Sequence, residues 1–303
     1  METDRTIREI ERLKAARRAV ILAHNYQESD VQDVADFVGD SLELSQKAAA
    51  TPAEVIVFCG VHFMAETAFL LSPEKTVLLP RAAAGCPMAD MITPDGLAAM
   101  RDAHPGAAVV CYVNSSAAVK ALSDICCTSA NAERVVRSIP EDREIVFVPD
   151  KYLGRHVERR TGRSMVLWPG FCPIHARLEA LDVRRARSAH PGAEVWAHPE
   201  CRPEVSDAAD FVLSTGGMVR RARETKSATV VVATEVGMLH RLRAERPDVT
   251  FVAASEAALC TNMKMTGLRD VLAALETMRG AITVPDEVRE PAARAVARML
   301  EVG

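Results

Sequence analysis

The sequence predicts an α/β protein of three similar small parallel-sheet α/β/α domains set around a pseudo-threefold axis. Three observations predict it. Four kinds of apolar run each occur three times along the 303 residues. The runs are short, rich in Val and Ile and nearly continuous in apolar character, as strands buried on both faces are. Ala-rich helical stretches lie between them, the alternation of a wound sheet.

The first run of each unit is AVILAHNYQ (19–27), AAVVCYVNS (107–115) and AEVWAHPEC (193–201), and the second is DFVGDS (36–41), DICCTS (124–129) and DFVLST (210–215). The third is EVIVFCG (54–60), EIVFVPD (144–150) and ATVVVATE (228–235), and the fourth is TVLLPRAAAGC (76–86), MVLWPGFC (165–172) and VTFVAASEAALC (249–260). His24 to Ser41, Tyr112 to Ser129 and His198 to Thr215 each span 17 residues. Asp36, Asp124 and Asp210 are spaced by 88 and 86, and Cys86, Cys172 and Cys260 by 86 and 88. Helices are expected at 44–54, 116–122 and 134–139, and at the ends over 4–18 and 287–301. The expected division is 1–103 (first repeat with an N-terminal helix), 104–187 (second), 188–278 (third) and 279–303 (a helical tail).

Hydrophobic residues make up 49% and charged residues 26%, enough apolar side chain for a large core. A net charge of -4 carries no cationic excess to replace phosphate counterions, so a general nucleic-acid partner is not expected. The first residues contain no apolar signal-peptide core. The longest stretch without a charged side chain, 103–119, holds His104, Pro105, Asn114 and two serines, so no membrane span is expected. The expectation is a soluble, cytoplasmic chain. There its eight cysteines should form no disulfide framework, and with no CxxC most read as small buried hydrophobes.

In parallel sheets ligands sit beyond the carboxyl ends of the strands, and the polar motifs here all follow apolar runs. Three units facing one axis would gather them into a central cleft. Cys86, Cys172 and Cys260 would meet there, one per unit. Three thiolates suit an iron–sulfur cluster with one open iron, or zinc, and a metal-free set also remains open. Gly39-Asp40-Ser41, Cys127-Thr128-Ser129 and Ser214-Thr215-Gly216-Gly217 lie between a strand and a helix. They read either as anion pockets or as plain N-caps. No GxxxxGK[ST] is present and no GxGxxG follows a strand, which disfavours a nucleotide enzyme. Glu200, right after a buried strand, is expected to be desolvated and raised in pKa toward a general base. His24, His175 and His198 also follow strands, and Tyr26 and Tyr112 could position a carboxylate or pass a proton. Met263 and Met265 read as packing, and RRAR (184–187) and RRARE (220–224) as solvated helix faces.

These motifs together resemble the quinolinate synthase family of de novo NAD biosynthesis. The matching segments are AHNYQESDVQDVADFVGDSLELS (23–45), FCGVHFMAETA (58–68), AGCPMAD (84–90), YVNSSAAVKALSDICCTSANA (112–132), WPGFCPIH (168–175), AHPEC (197–201), STGGM (214–218) and CTNMKMTGL (260–268). The resemblance implies three α/β domains about a pseudo-threefold axis and a [4Fe-4S] cluster held by Cys86, Cys172 and Cys260. It implies substrate contacts at His24, Ser41, Tyr112, Asn114, Ser129, His198, Glu200 and Thr215, with Tyr26 and His175 nearby. The implied reaction condenses iminoaspartate with dihydroxyacetone phosphate to quinolinate, phosphate and water, with Glu200, Tyr26 and Tyr112 as catalytic groups. L-aspartate oxidase or aspartate dehydrogenase would be the functional partner supplying the imine. Leu122 and Arg81 depart from the family pattern at places expected to be surface. Cys126 and Cys127 match a family pair but lack repeat partners and are left out of the cluster. Two other readings stay open: a different cluster-dependent hydro-lyase acting on a small hydroxy acid, and a non-enzymatic cluster sensor.

Overall fold

The computed structural model describes residues 2–302. Three four-stranded sheets repeat along the chain. The first holds β1 (Ala19–His24), β2 (Phe37–Gly39), β3 (Val55–Cys59) and β4 (Thr76–Leu78). The second holds β5 (Ala108–Tyr112), β6 (Ile125–Cys127), β7 (Ile145–Val148) and β8 (Val166–Leu167). The third holds β9 (Glu194–Ala197), β10 (Phe211–Val212), β11 (Thr229–Ala233) and β12 (Thr250–Ala253). Every ladder within these sheets is parallel, and each sheet places its second strand outermost, then the first, third and fourth. The four apolar runs of each unit are therefore its four strands. The winding direction reverses between first and third strands, which opens a crevice beyond their carboxyl ends.

The threefold aspartates have a structural task. Asp36 Oδ2 accepts the Ile21 N–H at 2.8 Å, Asp124 Oδ2 that of Val109 at 2.8 Å, and Asp210 Oδ2 that of Val195 at 2.7 Å. Each aspartate N–H donates back to the carbonyl of the same partner. The pair of bonds locks the entry of the second strand to the first at the same register in all three units. Their equal spacing follows from that clamp.

Helices fall near the expected places. Ser41–Ala50 stops earlier than the expected 54, because Pro52 drives Thr51 into extended backbone. Ala117–Ala121 and Ala132–Ser138 fill the second unit, and Glu2–Ala16 and Asp286–Val302 flank the chain. The outer helices cross between units. Leu268–Thr277, which follows the third sheet, buries Val271, Ala274 and Leu275 beside Ile10 and Leu13 on the first sheet. Ala180–Ala189 buries Val183 among β9 and β11 residues. Asp286–Val302 lies against Ala117–Ala121, β6 and the helix His62–Leu71, joining the first two units. Its Val296 and Met299 are fully buried, each worth ~1.5–3 kcal/mol of transfer free energy. Among the described residues no helix is long and apolar enough to cross a membrane.

Candidate active site

The crevices of the three sheets open into one cavity of about 230 Å³. His24, Tyr26, Ser41 and Cys86 line it from the first unit, Tyr112, Asn114, Ser129, Cys172 and His175 from the second, and His198, Glu200, Thr215 and Cys260 from the third. Every side chain singled out in the sequence as a site residue thus borders one space.

The thiols separate into two groups. All eight are free; Cys59, Cys111, Cys126, Cys127 and Cys201 are buried, whereas Cys86, Cys172 and Cys260 are only half-buried and face the cavity. The loops carrying the latter are built alike. His62 N–H donates to Ala84 O, Lys151 N–H to Gly170 O and Val236 N–H to Ala258 O, in each case two residues ahead of the cysteine. In the second and third units a buried carboxylate also holds the cysteine backbone. Asp150 Oδ2 accepts the Cys172 N–H at 3.2 Å and Glu235 Oε1 that of Cys260 at 3.0 Å. Val61 occupies that position in the first unit, and Asn262 Nδ2 from the third unit instead grips Gly85 O at 2.8 Å.

Burial raises all three thiols, Cys86 to about 12. Glu200 and the neighbouring sulfurs add to the rise, Cys260 acting on Cys86 and Cys86 on Cys172. Bare thiolates would be costly in so buried a place without a cationic group between them. Three soft donors, one from each unit and facing one cavity, fit a thiophilic cofactor.

Cys172, His175 and Glu200 also bring one ligand atom each to within 4.8 Å of one another. These atoms already bond among themselves: His175 Nδ1 is 2.7 Å from Glu200 Oε2 and 3.2 Å from Cys172 Sγ. That geometry is a hydrogen-bonded cluster attached to one of the three cysteines.

His24 and His198 occupy matching places, His24 as the last residue of β1 and His198 directly after β9. His24 Nδ1 accepts the Tyr26 N–H at 3.2 Å, and His198 Nδ1 accepts the Glu200 N–H at 3.3 Å. Burial brings both imidazoles down to about 3, so at neutral pH each is uncharged. With Nδ1 accepting, the proton sits on Nε2, and both rings are donors. His198 Nε2 reaches Ser129 Oγ at 3.4 Å, and its ring stacks on His175 at 4.7 Å.

Glu200 corrects an expectation. Burial alone would raise it, as the sequence suggested. His175 and His198 act against burial, as do hydrogen bonds from His175 and from Tyr112, whose hydroxyl donates to Oε1 at 2.5 Å, and the carboxyl ends at about 2. It is held ionised. Tyr112 and Tyr26 are pushed well above the usual phenol range, by burial first and Glu200 second, and remain neutral donors.

The three strand-to-helix elements are capped largely from within. Asp40 Oδ1 accepts the Leu42 and Glu43 N–H groups while Glu43 accepts the Asp40 N–H. Asn131 Oδ1 takes the Thr128 N–H, and Ser214 Oγ takes that of Gly217. Capping thus accounts for these backbone donors, while the hydroxyls of Ser41, Ser129 and Thr215 line the cavity. Thr215 Oγ1 accepts from Asn25 Nδ2 at 2.9 Å. Buried Asn114 Oδ1 and Asp40 Oδ2 have no partner among the described residues, and burial with Glu43 beside it brings Asp40 up to about 6.

The sequence reading missed Arg177, Thr234 and Glu235, all on the cavity wall or bonded to it, and saw Asp40 only as part of a capping or anion-pocket motif. Thr234 and Glu235 directly follow β11, the strand-end position already used for other motifs, so a signal was present. Arg177 is the one arginine or lysine among the lining residues, is exposed, and has no side-chain partner among the described residues. Met265, expected in packing, is 38% exposed. Arg81 pairs with Asp270 at 3.5 Å and Leu122 ends the helix Ala117–Ala121, both away from the cavity.

Three wound units that aim their crevices at one small chamber, lined by ionisable donors, a held carboxylate and facing thiols, define an enzyme acting on small polar molecules. Residues 8–301 match the family model described as Quinolinate synthetase A protein. The chain belongs to that family. It is 57% identical over 293 residues to a quinolinate synthase of Dehalococcoides mccartyi (strain CBDB1), covering 97% of each chain. It is 53% identical over 302 residues to that of Geobacter metallireducens, covering 100% of this chain and 99% of the relative. With the enzyme of Methanoregula boonei it shares 56% over 292 residues, covering 96% of each.

Proposed function

We propose that the chain condenses iminoaspartate with dihydroxyacetone phosphate to quinolinate, phosphate and water, using a [4Fe-4S] cluster held by Cys86, Cys172 and Cys260. The observation that carries this reading is the sorting of the cysteines, since the three in repeat register are the three that face the cavity. Bound there, the cluster supplies a Lewis-acidic iron without a protein thiolate, suited to polarising a leaving hydroxyl.

The chain's own side chains serve the rest. The substrates bring carboxylates and a phosphate. Neutral donors, namely Nε2–H of His24 and His198 and the hydroxyls of Ser41, Ser129 and Thr215, with the Asn114 amide, hold such groups without the desolvation cost of a buried cation. Arg177 at the rim offers a fixed positive charge to an entering anion. Ring formation needs protons removed and returned. An ionised Glu200 in contact with His175 is a base whose proton can be shared with the imidazole, which differs from a lone desolvated carboxylate. Tyr112 and Tyr26, held neutral, orient groups by donation. The imine would come from a reaction that oxidises aspartate, by L-aspartate oxidase or aspartate dehydrogenase, in the cytoplasm.

The test is anaerobic and compares wild type, Cys172→Ala and Glu200→Gln for iron and sulfide content and for quinolinate formed from the two substrates. Wild type should carry the cluster and make product, Cys172→Ala should lose both, and Glu200→Gln should keep the iron and lose turnover. Wild type with full iron and no quinolinate would refute the reaction. Cys172→Ala with unchanged iron and sulfide would refute the ligand set.

A further inference from the structure

Thr234 is 1% exposed, and its hydroxyl stands between two residues of other units. Tyr26 OH lies 2.6 Å from its Oγ1, and His175 Nε2 lies 2.8 Å from the same atom. On the far side of His175, Nδ1 meets Glu200 Oε2 at 2.7 Å, and Tyr112 OH meets Glu200 Oε1 at 2.5 Å. Five side chains thus form one chain of hydrogen bonds, Tyr26–Thr234–His175–Glu200–Tyr112. It passes from the first unit to the third, the second, the third and the second, crossing a unit boundary at every link.

The donor inventory fixes the direction of the two bonds at the Glu200 end of the chain. An ionised carboxylate only accepts, so Tyr112 and His175 Nδ1–H both donate to Glu200. His175 Nε2 and the Tyr26 phenol both bond the single Thr234 hydroxyl, which has one proton to give and lone pairs to accept with. The residues at the corresponding strand ends of the other two units are Gly60 and Pro149, so neither offers a hydroxyl. The threonine belongs to this one junction and not to the repeat.

We propose that Thr234 is a positioning residue: its hydroxyl fixes which way His175 and Tyr26 point, and through His175 it fixes Glu200 against Tyr112. Without it, Nε2 and the Tyr26 phenol lose a shared partner inside a buried site, and either ring can turn toward other acceptors. The role rests on the reaction assigned above, since Glu200, Tyr112 and Tyr26 are its working groups.

The test compares the iron-loaded enzyme with Thr234→Val, which keeps the shape and removes the hydroxyl, and with Thr234→Ser, which keeps the hydroxyl. Thr234→Val should lower kcat about 100-fold, the scale of a misplaced catalytic group, with KM within about twofold. Iron and sulfide content should be unchanged, and Thr234→Ser should stay within about threefold of wild type. A second readout needs no turnover: in thermal unfolding, Thr234→Val and Tyr26→Phe should be non-additive, the second change costing less once the first is made. Wild-type kcat in Thr234→Val, a Ser variant as slow as Val, or strict additivity overturns the role. If Thr234→Val does not fold, Thr234→Ala against Thr234→Ser makes the same comparison. A wild type that forms no quinolinate would instead remove the assigned reaction, and the unfolding cycle would still read the chain.

Discussion

Gly216 gives a quantitative handle on how the first and third units meet beside the cavity. It is the second residue of the helix Thr215–Glu224, and a Cβ there would stand 2.5 Å from Asp40 Oδ2 and 3.1 Å from Asp40 Cγ. A carboxylate end can often swing away, but this one cannot do so freely. Its Oδ1 caps the helix Ser41–Ala50 through two N–H groups, and Asp40 is 5% exposed. Moving Asp40 would give up a cap worth ~0.5–2 kcal/mol. Moving the helix would loosen the buried Asn25–Thr215 bond, worth ~0.5–1.5 kcal/mol. Overpacking adds ~1–3 kcal/mol, and alanine returns at most ~1 kcal/mol through helix propensity. Gly216→Ala should therefore destabilise the protein by about 1–3 kcal/mol, and because Asp40, Ser41 and Thr215 line the cavity it should also weaken substrate binding. Urea unfolding of variant and wild type reads the difference as a lowered midpoint at an unchanged slope. A variant as stable as wild type, or more stable, would mean that Asp40 yields without loss and that the contact is not a constraint.

Two further predictions concern charge. Burial brings the His24 imidazole from its usual 6.5 down to about 3 in the folded protein, so its contribution is present above 6.5 and lost as pH falls through the folded value. Against His24→Asn, whose amide can still take the Tyr26 N–H, wild type should gain up to ~1.4 kcal/mol per pH unit between about pH 3 and 6.5 and nothing more above that. A stability difference independent of pH would show that the imidazole is not kept neutral. Arg177→Gln should raise KM for the phosphate-bearing substrate several-fold, leave kcat nearly unchanged and flatten the fall of kcat/KM with salt; an unaltered salt dependence would take Arg177 out of anion capture.

Much of this architecture is legible in the sequence because the physics repeats. A strand buried on both faces has to be continuously apolar, so the twelve runs stand out. Asp36, Asp124 and Asp210 recur in register because each makes the same pair of bonds to its first strand. What could not be read is whatever depends on a neighbour from another unit. Burial of Glu200 is visible as a motif after a strand, but His175 and Tyr112 come from 25 and 88 residues away, and they reverse the expected pKa. Thr234 is an ordinary strand-end threonine until Tyr26, 208 residues earlier, is placed against it. The crossing of Leu268–Thr277 onto the first sheet has the same origin, since its apolar face is evident and its partner is not.

The places where the three units agree and disagree carry their own argument. After the second strands the residues are Ser41, Ser129 and Thr215, all hydroxyls, and after the fourth all are cysteines. At the ends of the first strands they are His24 with Tyr26, Tyr112 with Asn114, and His198 with Glu200; after the third, Val61, Asp150 and Glu235. A centre ligated equally from three sides requires equal donors, and equal hydroxyls can serve several anionic groups alike. Joining two unlike molecules requires unlike neighbours for each reacting atom. On the reaction proposed here, divergence should therefore be confined to the first and third strand ends. Exchanging Ser129 for Thr, which only imports the third unit's choice into the second, should then be tolerated far better than exchanging Asn114 for Glu, which imports a carboxylate where the chamber already holds Glu200. A larger loss of turnover from the serine exchange would reverse that assignment of roles.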